Sequence, residues 1–214
     1  MVNLVTHRES KEARQRAHKL IEEVRKHKKI DGHYKFFCKI IGSQKRRCIV
    51  KDDNGKYDLD FQIVLTKNSK DGDGDPTKIK KDFLRAFTDL KNKGEKVEDS
   101  TTVVTVRCSK GQECFEASLE KFSFDFVIIS IDEEKRIRRN GPSQYTWVEL
   151  PSKNSYIYDR FNKLSLSQKD ELLKEYMLPM IKIEKAKPED QRIASIVIFY
   201  QEVNNYYQRN HLND

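Results

Sequence analysis

Apolar side chains recur along this chain at two different periods, and the change of period marks out its elements. Ala13, Ala17, Leu20, Ile21 and Val24 fall at i, i+4, i+7, i+8 and i+11, the spacing of a helix with one buried stripe. A helix is therefore predicted over His7–Lys28, with Thr6 as its N-cap and its stripe packed on a sheet. The apolar run Tyr34–Ile41, YKFFCKII, suits either a helix or a short strand. Tyr57–Leu65, YDLDFQIVL, is predicted as a strand, delivered by the KDDNGK turn over Lys51–Lys56. Pro76 opens a second helix, to about Lys93, whose Ile79, Phe83, Ala86, Phe87 and Leu90 share a face. Thr101–Arg107, TTVVTVR, is a strand by its β-branched content, and Phe122–Ile131 is strand-like as well. Two more helices are predicted over Ser167–Glu175 and Glu189–Arg209, the second with Ile193, Ile196, Val197, Tyr200 and Val203 as its apolar positions.

Together these elements predict an α+β fold, a mixed sheet braced by helices over residues 1–132, followed over 133–214 by a basic linker and a short helical C-terminal lobe. With 214 residues there is ample chain for a buried core. No apolar run is long enough to span a membrane and the N-terminus turns polar at once, so a cytoplasmic location with no membrane partner is expected. Cys38, Cys48, Cys108 and Cys114 form no CxxC pair and no zinc-finger spacing, which reads as scattered reduced thiols. The net charge of +8 favours anions, whether nucleotides or nucleic acid. The basic residues of the first helix, Arg14, Lys19, Arg25, Lys26, Lys28 and Lys29, suit a solvated helix surface better than a nucleic-acid stripe.

The chemistry concentrates in acids placed within strands. Asp58 and Asp60 stand two apart, so their side chains project from the same side of one strand. If the Phe122–Ile131 strand pairs beside it, Asp125 joins them. A carboxylate between Phe124 and Phe126 is costly to bury without a partner, and three converging carboxylates repel one another unless a cation lies between them. A hard divalent ion, Mg²⁺ or Mn²⁺, suits such oxygen donors. By contrast, the acidic stretch KNSKDGDGDP has Pro76 and Asp82 where a calcium loop counted from Asp71 needs Gly and Glu, and reads as a flexible loop. Upstream, Ile41 precedes Gly42-Ser43, whose backbone N–H groups and hydroxyl suit phosphate oxygens.

Ile41, Gly42-Ser43, Asp58-Leu59-Asp60 and Phe124-Asp125-Phe126, in that order, resemble the pattern of the DNA polymerase β-like nucleotidyltransferase superfamily. Within it they are similar to the cyclic GMP-AMP synthase-like and bacterial cyclic-oligonucleotide synthases. The resemblance covers about residues 35–130. It implies that Asp58, Asp60 and Asp125 are catalytic and hold Mg²⁺ or Mn²⁺, and that Gly42 and Ser43, with Lys45 and Arg47 nearby, bind the phosphates of ATP or GTP. Where many relatives carry Gly-Thr this chain has Arg47-Cys48: either the positive charge of Lys45, Arg46 and Arg47 serves triphosphate or nucleic-acid binding, or the loop is arranged differently. The implied activity is transfer of a nucleoside monophosphate from a nucleoside triphosphate to a hydroxyl with release of pyrophosphate, making a cyclic or linear signalling oligonucleotide. Transfer to RNA, a protein or a small molecule stands beside it, as does a non-catalytic basic protein that binds RNA. There is no zinc-ribbon insertion, so recognition of DNA in the manner of the animal sensor is not expected. Trp147 reads as a packing residue. Tyr156 or Tyr158 is a candidate to stack on a base, and Lys182 and Lys185 read first as surface lysines.

Overall fold

The computed structural model describes residues 3–6, 8–46, 49–51, 55–67, 69–71, 74–108, 122–150, 154–188, 191, 193–210 and 212. The chain forms two compact units, which divide after Leu150.

Helix α1 (Glu9–Arg25) starts after Arg8 with no side-chain cap. Thr6 is not the N-cap expected of it; its carbonyl instead accepts hydrogen bonds from the Ser10 backbone N–H and hydroxyl. The predicted stripe is buried, with Ala13, Ala17 and Leu20 at 0% exposure. YKFFCKII resolves as strand β2 (Phe36–Ile40), and YDLDFQIVL as β4 (Tyr57–Leu65). Two residues of β1 (Asn3–Leu4) pair with two of β3 (Val50–Lys51) in a separate ribbon. Helix α3 (Pro76–Leu90) has Pro76 in its first turn, where a missing N–H costs nothing, and Asp75 caps it by accepting from the Thr77 N–H at 2.8 Å.

Three more strands, β5 (Glu95–Asp99), β6 (Val103–Cys108) and β7 (Phe122–Ile129), complete the central path in the order β2-β4-β7-β6-β5. Strands β4 and β7 run parallel and the other pairs antiparallel. Beyond them, β8 (Lys135–Gly141) and β9 (Gln144–Glu149) form a hairpin on β7. The stretch expected to be a basic linker is thus part of the sheet, because its buried Ile137 and Tyr145 join the same core. The first unit accordingly extends to Leu150, past the boundary expected at 132. Trp147, in β9, packs against this core.

Alternation along the two parallel strands separates the faces of the sheet. Tyr57, Leu59, Phe61, Ile63 and Leu65 of β4, with Phe122, Phe124, Phe126 and Ile128 of β7, enter the main core under α1 and α3. There Phe126 stacks on Phe87 of α3, with ring centroids 4.6 Å apart. Truncating such a ring costs about 3–5 kcal/mol. The opposite face changes character along its length: the alternate positions are Asp58, Asp60, Gln62 and Val64 on β4, and Ser123, Asp125, Val127 and Ile129 on β7. Val64, Val127 and Ile129 form a small apolar cluster at one end, and the other end is acidic. Cys38 is a free thiol, whereas Cys108 is disulfide-bonded, which corrects the expectation of reduced thiols throughout.

The second unit is helical. Asn154 caps α4 (Ser155–Lys163), and Ser165 with Gln168 forms a capping box on α5 (Leu166–Glu171). The helix widens into a π-turn over Leu172–Met177 before α6 (Leu178–Ala186). Pro179 explains the widening, since it has no N–H to donate and its ring crowds the carbonyl four residues back. Helix α7 (Ser195–Arg209) buries Ile198, Phe199, Val203, Tyr206 and Tyr207. Its apolar face is therefore rotated from the one expected: Ile193 and Val197 remain exposed, while the aromatic residues Phe199, Tyr206 and Tyr207 turn inward.

Candidate active site

Strand register assembles the acids. Asp60 lies directly opposite Asp125 in the β4–β7 ladder, and Asp58 opposite Ser123. Because Asp58, Asp60, Ser123 and Asp125 share one face, the three carboxylates that the sequence placed in two strands lie within two adjacent rows. Asp58 is exposed, and Asp60 and Asp125 are half-buried. Burial first, then the nearby charges of Asp125 and Asp58, push the Asp60 carboxyl up to about 6, against a smaller opposing pull from the Arg46 guanidinium. Asp125 is raised as well, by burial above all, with the hydrogen bond from Thr105 holding it back. Like charges drawn into a partly desolvated place raise one another in this way.

The Gly42-Ser43 turn is built against these acids. The short helix α2 (Gly42–Lys45) follows Ile41, whose N–H donates to the Asp60 carbonyl at 3.0 Å. Gly42 adopts φ +63°, and a Cβ there would stand 2.0 Å from Asp60 Oδ2. Only glycine permits both the backbone conformation and that approach. Lys45 ends the turn and is exposed, while Arg47 and Cys48 lie outside the described residues.

Three residues of this neighbourhood were not among the expected site residues. Arg46 is buried and acts electrostatically on Asp60; in the sequence it is indistinguishable from Lys45 and Arg47 on either side. Thr105 of β6 faces Asp125 in register and donates to its Oδ1 at 2.6 Å. The Ser123 hydroxyl donates to Asp58 Oδ1. Ser123 was legible in principle, since it stands two residues before Asp125 and so must share its face; Thr105 required knowledge of the pairing. In the second unit the Arg160 guanidinium lies 4.2 Å from the Tyr156 ring centroid, and Tyr158 packs on Phe199 and Tyr200. The two expected base-stacking candidates thus already have neighbours in the helical unit.

The donor chemistry fits a hard divalent cation. All three side chains offer carboxylate oxygens, two of them at raised proton affinity through burial first and the neighbouring carboxylate charges second. Among the described residues, no three His, Cys, Asp or Glu side chains are placed so that together they could hold a metal ion. Mg²⁺ is ordinarily held by one or two carboxylates together with water and substrate phosphates, so an open arrangement is compatible with it.

A mixed sheet braced by helices, with these acids on its parallel strands, is a fold that the chain shares with solved bacterial structures. Among solved structures, the chain is similar to Vibrio cholerae DncV in its 3'-deoxy ATP bound form, at 17% identity and a TM-score of 0.55, over 94% of this chain and 52% of that one. It is similar likewise to the DncV cyclic AMP-GMP synthase in complex with nonhydrolyzable GTP, at 18% identity and TM-score 0.55, over 94% and 53%. The DncV complex with the linear intermediate 5' pppA(3',5')pG aligns at 17% identity, TM-score 0.55, over 94% and 52%. The chain spans about half the length of the structures it matches. At this identity the likeness is one of fold. No family model matches the chain, and no curated protein matches it in sequence. Among the described residues no helix is long and apolar enough to cross a membrane.

Proposed function

We propose that this chain carries a metal-dependent nucleotidyltransferase site that moves a nucleoside monophosphate from ATP or GTP to a hydroxyl, making a cyclic or linear signalling oligonucleotide. The observation that carries the proposal is the register pairing of Asp60 with Asp125, with Asp58 one row away and Gly42 packed directly on Asp60. Asp58, Asp60 and Asp125 would hold Mg²⁺ or Mn²⁺. The metal, when bound, supplies Lewis-acid neutralisation of the phosphate oxygens and of the attacking and leaving oxygens. The Gly42-Ser43 turn offers backbone N–H groups and a hydroxyl to the β- and γ-phosphates, and Lys45 adds positive charge beside it. In the reaction the acceptor oxygen loses its proton and bonds to the α-phosphorus. The bond from that phosphorus to its bridging oxygen breaks, and pyrophosphate leaves with the electron pair. The likeness in fold to a cyclic AMP-GMP synthase supports a nucleotide acceptor. The net charge of +8 keeps RNA as a second acceptor class.

The test is incubation of the purified protein with each of the four radiolabelled nucleoside triphosphates and Mg²⁺ or Mn²⁺, with Asp58→Ala alongside. A phosphatase-resistant product that the variant does not make is expected. Its absence from nucleotides alone, with label appearing on added RNA, would favour the second acceptor. Failure of both metal and nucleotide to bind would overturn catalysis altogether.

A further inference from the structure

The face that carries the acids continues across the sheet in two polar rows. One runs Asp60, Asp125, Thr105, Glu98 and the other Asp58, Ser123, Arg107, Lys96, each residue opposite the next in register. In the first row, Thr105 meets Asp125 Oδ1 at 2.6 Å, within the short range of a hydroxyl donating to an ionised carboxylate. Its oxygen also lies 3.3 Å from the Ser100 hydroxyl. A threonine hydroxyl has one proton. With that proton committed to Asp125, the Ser100 contact runs the other way, Ser100 donating and Thr105 accepting. Two hydroxyls in series thus aim at one oxygen of the third acid. The χ1 of Thr105, stiffened by its β-branch, limits where that proton can point.

On the basis of the nucleotidyl-transfer assignment, we propose that Thr105 is a positioning residue: it fixes the rotamer of Asp125 and leaves the Oδ2 oxygen to a divalent cation. Asp125 is an acid that needs such help. Its row neighbour across the other ladder is Asp60, a like charge that would turn it away, while Arg107 and Glu98 exert opposite pulls on it from the far side. Groups that hold metal-binding carboxylates by hydrogen bonds typically change metal affinity 10- to 100-fold when removed.

The experiment is Mn²⁺ binding, followed through the electron paramagnetic resonance signal of the free ion, on the wild-type chain and on Asp125→Asn, Thr105→Val and Thr105→Ser. Urea unfolding of each reports the fold. Thr105→Val is expected to weaken Mn²⁺ roughly tenfold or more at a nearly unchanged urea midpoint, and Thr105→Ser, which restores the hydroxyl, to bind within about threefold of wild type. If Thr105→Val fails to fold, the comparison of Thr105→Ala with Thr105→Ser, which differ by one oxygen atom, carries the same test. Wild-type affinity in the hydroxyl-free variants, with Asp125→Asn impaired, would overturn the role of Thr105 while leaving the nucleotidyl-transfer assignment standing. A wild-type chain that binds no Mn²⁺, or an Asp125→Asn variant that binds it normally, would overturn the assignment itself and Thr105's role with it.

Discussion

At the corner of Asp58, Asp60 and Asp125 the strongest charges acting on each half-buried carboxylate include other carboxylates; at Lys80 of α3 a fully buried amine is met by an opposite charge. Lys80 Nζ donates to the Val103 carbonyl at 2.8 Å and stands 3.6 Å from Asp99 Oδ1. Asp99 in turn receives Arg139 at 3.3 Å and the Tyr145 hydroxyl at 2.5 Å, and the Arg139 guanidinium also reaches the Asp99 carbonyl at 2.9 Å. This second cluster ties α3, β5, β6, β8 and β9 together, with the buried Asp99 Oδ1 met by the Lys80 charge at ion-pair distance and by no hydrogen bond. Burial still draws the Lys80 ammonium down to about 8, with Asp99 opposing the shift. Burial of charge is therefore common to both places and does not distinguish them. What differs is whether the protein supplies the compensating charge. At Lys80 it does, and the cluster is structural; at the acids Arg46 and Arg107 oppose the repulsion only in part, and under the proposed function a bound cation would supply the rest.

The largest expected effect tests the acidic side of that contrast. Asp60→Asn should lower nucleotidyl transfer by at least about 10³-fold, several kcal/mol of transition-state stabilisation. The urea midpoint should hold or rise, since a repelled, partly buried carboxylate is removed. A variant that unfolds instead would place Asp60 with Lys80 as a structural group. Lys80→Met should do the reverse. Leaving Asp99 with Arg139 and Tyr145 but without its amine should destabilise the chain by roughly 3 kcal/mol in urea, with Mn²⁺ affinity within about twofold of wild type. Loss of Mn²⁺ binding at intact stability would erase the distinction between the two places.

Gly42→Ala tests the packing rather than the charge. The left-handed backbone adds about 1 kcal/mol of strain, and the new methyl must displace the Asp60 carboxylate. Turnover is expected to fall on the order of 10²-fold, seen in the same product assay, with a stability loss near 1 kcal/mol. The smallest effect is in the pH dependence. Lys80 binds its proton less tightly folded than unfolded, so between about 8 and its ordinary value of 10.5 the unfolded chain holds more protons and stability rises with pH. Tyr34, Tyr145 and Tyr206 are pushed up to about 12 by burial, and so reverse the slope above pH 10. Cys38, pushed up to about 12 by burial, opposes the rise already above about pH 9, so urea midpoints at pH 7.5, 8.0 and 8.5 should climb by the equivalent of about 0.5–1 kcal/mol in wild type and stay flat in Lys80→Met.

Helix α3, strand β4 and strand β7 were legible because each carries its own period and, for α3, its own start signal at Pro76. The hairpin of β8 and β9 was not, because KRIRRNG places only Ile137 in the core among basic residues, a local composition that reads as a linker. The rotated face of α7 has a similar cause. SIVIFYQEVNNYYQR is apolar or aromatic over so much of its circumference that several stripes satisfy helical spacing, and contact with neighbouring helices selects one. Arg46 did not stand out beside the Gly42-Ser43 turn for a comparable reason: three successive cations are equivalent in sequence, and only the path of the chain after α2 turns Arg46 inward.

By itself, the sequence determined the same-face placement of Asp58 with Asp60, the glycine at a turn that tolerates no side chain, and the strand that carries Asp125. These follow from local geometry, since alternation and backbone conformation are properties of a few consecutive residues. The pairing of Asp60 with Asp125, the hydroxyls of Thr105 and Ser123 that address the acids, and the Lys80–Asp99–Arg139–Tyr145 cluster were decided only in the tertiary structure. Register between distant strands and the company of a buried charge depend on how the whole sheet assembles, and no short window of sequence contains that information.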